Sequence, residues 1–480
     1  MSPLAWLVAL VRQLVPPNSV NSAYIVSFRF YQQPFRLWLD SSIIVLLVMS
    51  GCVSVDVTSE RVRSDESLST EETARPAPVV DAPVANPPDS TEIRNLVNLD
   101  GQNVNSTAQG AALALERSLL GDESPLNRGV TTRPEKKVYG YYAWWTRGLW
   151  LDIDLSLYDK LFFFTITPDT DGILKERNGW PFAWEGLARS ADSLHIPLVP
   201  TLAMLDPDSI RTLFGDSASV EQLIASAMLL IEESNGAGLH IDIEFFEAAD
   251  DTLKAGFQHF SDSLAQAADA LYPQAELSIF VPALQKEGLI DVSRIPDRFT
   301  EIMVQGYDIH WQTGPRAGPV APLRGWDGSN WQTIDSTFRA LDIDPGRLVM
   351  TVPYYGYEWP VESGQAGAQT RGDGRIITYA QVDSLNLPDL QISALERIAR
   401  HGMKRDEESG SPWYAWRDST GWLQGWYEDE ESLRNKYEFL DERRFGGIAV
   451  FPIGYDAGLL DTLLLEAFGA RPMNPGLMDR

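Results

Sequence analysis

The segment Gly238-Leu239-His240-Ile241-Asp242-Ile243-Glu244 sets three ionisable side chains at alternate positions among apolar ones. Side chains alternate across a strand, so His240, Asp242 and Glu244 share one face while Leu239, Ile241 and Ile243 share the other. Two carboxylates at i and i+2 on one face are close enough to couple, which drives their pKa values apart. One protonated acid beside one anion is the division of labour that glycosidic cleavage requires. An unpaired buried polar group costs roughly 1–3 kcal/mol or more, so three ionisable groups on one inward face imply a purpose.

The elements around this segment point inward as well. From Lys136 onward, apolar runs alternate with longer amphipathic stretches: Val138–Trp144, Lys160–Thr167, Ile196–Ala203, Gly238–Glu244, Glu276–Val281, Glu301–Tyr307, Arg347–Pro353 and Gly447–Ile453. Patterns such as Val220–Glu233 and Leu253–Leu271 read as helices between them. Near-continuous apolar strands separated by helices indicate a parallel sheet covered on both faces, and eight of them predict an α/β (β/α)8 TIM barrel. A doubly wound sheet is the alternative, but Tyr139-Gly140-Tyr141-Tyr142 after the first strand is no phosphate-binding turn. In a barrel, Glu244 ends the fourth strand at the C-terminal rim and Asp242 lies one layer deeper. The last two runs are too far apart for one helix. The excess, at about 358–424, holds Arg375–Tyr379, Trp413–Trp416 and Trp422–Tyr427 around the turn Asp418–Gly421. It predicts a small β-rich subdomain between strands 7 and 8.

Composition bounds the partners. The 480 residues carry a net charge of −28, with 67 acidic against 39 basic residues. Of this, residues 1–52 contribute +2, residues 53–135 contribute −7 and the remainder −23, so the acidity belongs mostly to the barrel surface. Such a balance argues against nucleic acid, which is bound through clustered Lys and Arg. One cysteine excludes a disulfide framework and a Cys-based zinc cluster, and no His-rich spacing suggests another metal. That cysteine, Cys52, follows Met49-Ser50-Gly51 and the apolar run 43–49, too short to span a bilayer. The pattern resembles the bacterial lipoprotein signal, which implies lipidation at Cys52 and an envelope location, in the periplasm or on the outer surface, on a membrane-held chain. Residues 1–52 therefore read as leader and 53–135 as a Pro- and Ser-rich tether with a short helix near 111–120. Residues 136–470 read as the barrel and 471–480 as a tail, on a chain expected to be monomeric.

Gly-Leu-His-Ile-Asp-Ile-Glu resembles the fourth-strand motif of family 18 glycoside hydrolases, Asp-Gly-x-Asp-x-Asp-x-Glu, in a style similar to spore-cortex and peptidoglycan-directed members. Ala237 and His240 stand where the motif has Asp. Other segments match in order from Val138 to Leu465. Val304-Gln305-Gly306-Tyr307-Asp308 resembles Met-x-Tyr-Asp on strand 6, Gly318–Leu323 a Gly-Pro-x-Ala-Pro-Leu loop, Val352–Gly356 the seventh strand, and Phe445–Phe451 the eighth. Phe451 occupies the place of a Trp that floors the sugar pocket. The resemblance implies a retaining glycosidase acting on N-acetylglucosamine polysaccharide, chitin oligomers or peptidoglycan, with the substrate's acetamido group as nucleophile. Glu244 would be the acid and base, while Asp242 and Tyr307 would orient the acetamido group. No cofactor is expected. The rival reading is a non-catalytic glycan-binding lipoprotein on the same scaffold.

Fifteen Trp support a sugar site, because sugars pack their apolar faces on aromatic rings. Tyr141, Trp144, Trp311, Gln305, Asp308 and Phe451 are the expected substrate contacts, together with His240. Trp145, Trp359 and Trp426 also fall near strand ends. His240 has three readings: a partner of Asp242, a proton relay, or a sign of weakened catalysis; the first is favoured because His pairs readily with a carboxylate. Tyr354 and Tyr355 read as packing, and Met204 and Asp206 as possible pocket edges.

Overall fold

The computed structural model describes residues 25–30, 33–38, 54–58, 132–283, 288–325, 333–382, 390 and 392–472. The chain forms two units, residues 1–81 and 82–480. In the first, Ile25–Phe30 lies between Gln33–Trp38 and Ser54–Thr58 in an antiparallel sheet. The apolar run 43–49, Cys52 and the candidate helix at 111–120 lie outside the described residues.

The second unit is a closed parallel barrel. Its strands are β1 (Lys137–Ala143), β2 (Lys160–Pro168), β3 (Leu198–Met204), β4 (Gly238–Ile243), β5 (Glu276–Val281), β6 (Phe299–Val304), β7 (Leu348–Pro353) and β8 (Gly447–Phe451). Each pairs in parallel with its sequence neighbours, and β8 closes on β1. All eight apolar runs became barrel strands. The largest difference is β6, which ends at Val304 rather than Tyr307, because the chain turns at Asp308 with φ 55°. Two glycines let neighbouring strands approach closely, Gly238 at the start of β4 and Gly306 just beyond β6. A Cβ on Gly238 (φ 147°) would lie 2.1 Å from the Glu276 carbonyl oxygen, and one on Gly306 would lie 2.2 Å from that of Thr351.

Outside the barrel lie α1 (Glu185–Ser193), α2 (Pro207–Phe214), α3 (Ser217–Glu233), α4 (Asp251–Leu271), α5 (Ile334–Ala340), α6 (Ala394–His401), α7 (Glu430–Arg443) and α8 (Asp461–Phe468). Part of the acidic excess starts these helices. Asp206, Asp216, Asp250 and Asp429 each accept a backbone N–H at 2.9 Å, at the heads of α2, α3, α4 and α7. An N-cap aspartate satisfies an orphan donor and complements the helix dipole.

The barrel floor is ionic. Lys160 pairs with Glu301 and Glu276, and the Tyr139 hydroxyl donates to Glu301 Oε1 at 2.7 Å. The Lys160 and Glu301 side chains are only 4% and 7% exposed. Removing one partner strands a buried charge, so Lys160→Met should destabilise the barrel by about 3–5 kcal/mol. Urea denaturation reads this directly, and a loss under about 1 kcal/mol would mean the pair is not buried as described.

The long β7–β8 connection forms a five-stranded antiparallel sheet in the order Arg375–Thr378, Tyr355–Val361, Trp422–Trp426, Pro412–Arg417, Lys404–Arg405, with α6 beside it. The sheet thus begins at Tyr355, directly after β7. Asp418 Oδ1 accepts from the Thr420 and Gly421 amides and closes the turn between Pro412–Arg417 and Trp422–Trp426. Glu358, fully buried, gathers Tyr414, Trp416 and Arg397 at 2.9, 3.0 and 2.9 Å. This buried anion ties three elements of the subdomain together.

Candidate active site

The site is built on the C-terminal end of β4. Its register sets His240 beside Thr201 of β3 and Ser278 of β5, and Asp242 beside Ala203. Leu239, Ile241 and Ile243 are fully buried. Glu244 follows the strand, its amide held at 2.9 Å by the Met204 carbonyl, and its side chain is half-buried. Asp242 is buried, and its Oδ1 has no hydrogen-bond partner.

Burial pushes the Asp242 carboxyl up to about 7. Glu244 is raised well above the ordinary range, first by burial and then by the charges of Asp242 and Asp308. Asp308 is raised by burial to about 6, while hydrogen bonds from Tyr355 and Tyr357 oppose the rise. Three carboxyls therefore crowd one apolar mouth, and Glu244 keeps its proton most strongly. Tyr307, buried, lies within electrostatic reach of Glu244, Asp242 and Asp308.

The ring system centres on Phe451, which is half-buried. Tyr307 stacks against it at 5.9 Å, while Tyr141, Trp145, Phe164 and Tyr355 meet it edge-on at 5.7, 6.5, 5.2 and 6.2 Å. Trp144, also half-buried, crosses Trp145 at 5.9 Å. Gln305 is buried, and its Oε1 accepts the Ala283 amide at 3.0 Å, fixing the tops of β5 and β6.

Several expected contacts lie elsewhere. His240 is not the partner of Asp242, nor is it placed to touch a sugar: it is 0% exposed. Its Nε2 meets the Tyr141 hydroxyl and its Nδ1 meets Ser278 Oγ, both at 2.9 Å. Burial and the nearby Lys160 ammonium push it down to about 3, so the ring is neutral. A neutral ring with both nitrogens taken is a cross-strand link, not a proton relay. Tyr141, bonded to it and 1% exposed, lies in the same lower layer rather than on the cavity surface.

Trp311 is buried. Trp359 and Trp426 are also buried, in the inserted sheet, where Trp359 donates to the Gln312 carbonyl and Trp426 stacks on Trp413 at 5.4 Å. Trp359 and Trp426 thus pack the inserted sheet rather than floor a sugar. Tyr354 does pack, against Tyr437. Tyr355 does more: its hydroxyl donates to Asp308 Oδ1 at 2.7 Å, joined there by Tyr357 at 3.0 Å. Neither phenol was read as functional, although Tyr355 and Tyr357 alternate on one strand face as His240, Asp242 and Glu244 do. Met204 and Asp206 line a cavity of about 90 Å³ with Thr167, Asp169, Lys175 and Glu176, between the ends of β2 and β3. No cluster suited to a metal ion occurs among the described residues.

A parallel barrel with a carboxyl pair at the rim of β4 has the layout of a glycosidase. The chain belongs to glycosyl hydrolases family 18, whose family model matches residues 206–456. It is 22% identical over 260 residues to the uncharacterised glycosylase YvbX of Bacillus subtilis, covering 52% of this chain and 67% of that protein. Other curated relatives are matched over between 11% and 47% of their own length. Among solved structures, the group IV chitinase of Ostrinia furnacalis superposes with a TM-score of 0.59 at 17% identity, covering 70% of this chain and 98% of that one. The spore cortex-lytic enzyme SleL of Bacillus megaterium gives 0.52 at 17% identity, covering 71% and 75%. At these identities the superpositions establish the fold.

Proposed function

We propose that the protein is a retaining glycosidase that cleaves β-1,4 linkages at N-acetylglucosamine, in chitin oligomers or peptidoglycan, through an oxazolinium intermediate. The observation that carries this reading is the pairing of Glu244, half-buried at the rim, with the buried Asp242, whose Oδ1 is unpartnered. Glu244, raised by its neighbours, enters the reaction protonated and delivers its proton to the glycosidic oxygen. The acetamido oxygen attacks the anomeric carbon as the bond to the leaving sugar breaks. The acetamido N–H is the donor that the free Asp242 oxygen lacks. Bonded there, and oriented by Tyr307, the group reaches the anomeric carbon at little entropic cost, and the Asp242 charge offsets the positive charge of the ring that forms. Glu244, now an anion, takes a proton from water, which opens the oxazolinium with net retention.

Family membership supports the reaction class, and the names of relatives include both chitinases and a spore cortex-lytic enzyme. Product analysis on the purified chain, offered chitin oligomers and peptidoglycan side by side, tests the reading. Release of new reducing ends with β-configured products is the expected result. Saturable binding without release would replace it with the non-catalytic reading. We further propose lipidation at Cys52, which would hold the enzyme against an envelope polymer; a mature N-terminus without lipid in the mass spectrum refutes that.

A further inference from the structure

The inserted sheet docks on the segment that follows β6. Its first strand, Tyr355–Val361, turns Tyr355, Tyr357 and Trp359 toward the segment that follows β6. Trp359 Nε1 and the Gly374 amide both donate to the Gln312 carbonyl at 2.8 Å, and Thr370 grips Pro315 and Gly314 at 3.0 and 2.8 Å. At the head of this segment stands Asp308, in left-handed conformation at φ 55°, with both phenols on one carboxylate oxygen. A residue other than Gly held in that region needs surrounding structure to fix it. Tyr357 is itself buried, with its hydroxyl committed to Asp308.

Resting on the reaction proposed above, we infer that Tyr357 is a positioning residue, which together with Tyr355 holds Asp308 as an oriented anion beside Glu244. That anion faces the centre where positive charge develops and stabilises it, and it helps hold the proton on Glu244 before the first step. The titratable groups facing Asp308 are Glu244 from the end of β4, the adjacent Tyr307, and Tyr355 and Tyr357 from the inserted strand. Of these, only the two phenols donate to it. Two donors on one oxygen fix the rotamer as well as the charge, and both stand on the first strand of the insertion. The subdomain thereby becomes part of the active site's electrostatics.

Tyr357→Phe removes one donor and keeps the ring. A hydrogen bond to a charged group is worth about one to two pKa units, so Asp308 should take up its proton roughly one unit higher in the variant. Carboxyl 13C NMR on aspartate-labelled protein reads this, with the Asp308 signal identified by its absence in Asp308→Asn. In parallel, kcat/KM near pH 6 should fall about three- to tenfold, while near pH 8 it stays within about twofold and KM is little changed. In an Asp308→Asn background, Tyr357→Phe should leave the pH profile where it was. An unmoved Asp308 midpoint overturns the assignment, as does an equal loss of rate at every pH or a further shift without Asp308. The NMR arm needs no substrate. A moved midpoint in a protein that hydrolyses nothing would therefore refute the reaction proposed above while leaving Tyr357 as the residue that holds Asp308 ionised.

Discussion

Glu244→Gln is expected to lower kcat on N-acetylglucosamine oligomers by about three orders of magnitude, the middle of the range for removal of a general acid. The substitution keeps size and shape and removes the carboxyl that gives the proton in the first step and takes one from water in the second. Glu244 is anchored through its main chain, by the bond from its amide to the Met204 carbonyl, so the strand end should stay in place. Its side chain is half-buried at the rim. Oligomer affinity should accordingly survive within a few-fold, and thermal stability should not fall. It should rise slightly, since a carboxyl crowded by Asp242 and Asp308 no longer has to be kept there. Single-turnover kinetics with oligomers, read beside equilibrium binding, separate the two effects. A rate within about tenfold of wild type would remove Glu244 as the acid.

How much of this was legible beforehand depended on how local each signal is. The alternation from Gly238 to Glu244 is contained within seven residues and follows from strand geometry alone, so the inward face was readable. The apolar runs were readable for the same reason, and the largest misplacement is the end of β6, where Asp308 turns the chain with a backbone angle that composition does not announce. The partners of His240 were not readable. They come from β1 and β5, 99 and 38 residues away in sequence, and the register that brings Tyr141 and Ser278 beside it is a property of the closed barrel. A carboxylate two residues along was the nearer candidate, but successive inward side chains on one strand stack in layers, and His240 satisfies both nitrogens within its own. The tryptophans failed differently. Position near a strand end does not distinguish a ring on a cleft from one inside the inserted sheet. Trp359 and Trp426 are buried there because the sheet is small and needs large side chains to make any core. The phenols on Asp308 share that origin, since their role exists only once the insertion has folded back over the β6 loop.

Asp242→Asn should separate catalysis from stability in opposite directions. On the catalytic side, an amide in place of the carboxylate has no charge to set against the oxazolinium, and loss of one such preorganised group costs about 10²–10³ in kcat. The basic limb of the pH profile should also move to lower pH, because Glu244 loses the Asp242 anion that helps hold its proton. On the stability side, the Asp242 carboxyl goes from an ordinary value of 3.8 to about 7 in the folded protein because burial penalises its charge. The native state then binds more protons than the unfolded state between those two values, so this group's contribution to stability falls as pH rises through the window. The penalty is complete above about pH 7 and absent below the unfolded value of 3.8. Asn carries no such penalty. The variant should melt higher than wild type at pH 7.5, by at least about 2 °C for a domain of this size, and the advantage should vanish as pH is lowered toward 4. Thermal melts across that range, taken beside kcat on acetylated oligomers, test both halves. A variant that loses activity and also melts lower at neutral pH would show Asp242 to be holding the barrel together. A gain in stability paired with lost turnover is what a carboxylate kept in an unfavourable place for its chemistry should give, and Asp242, with one oxygen left unpartnered, is in such a place.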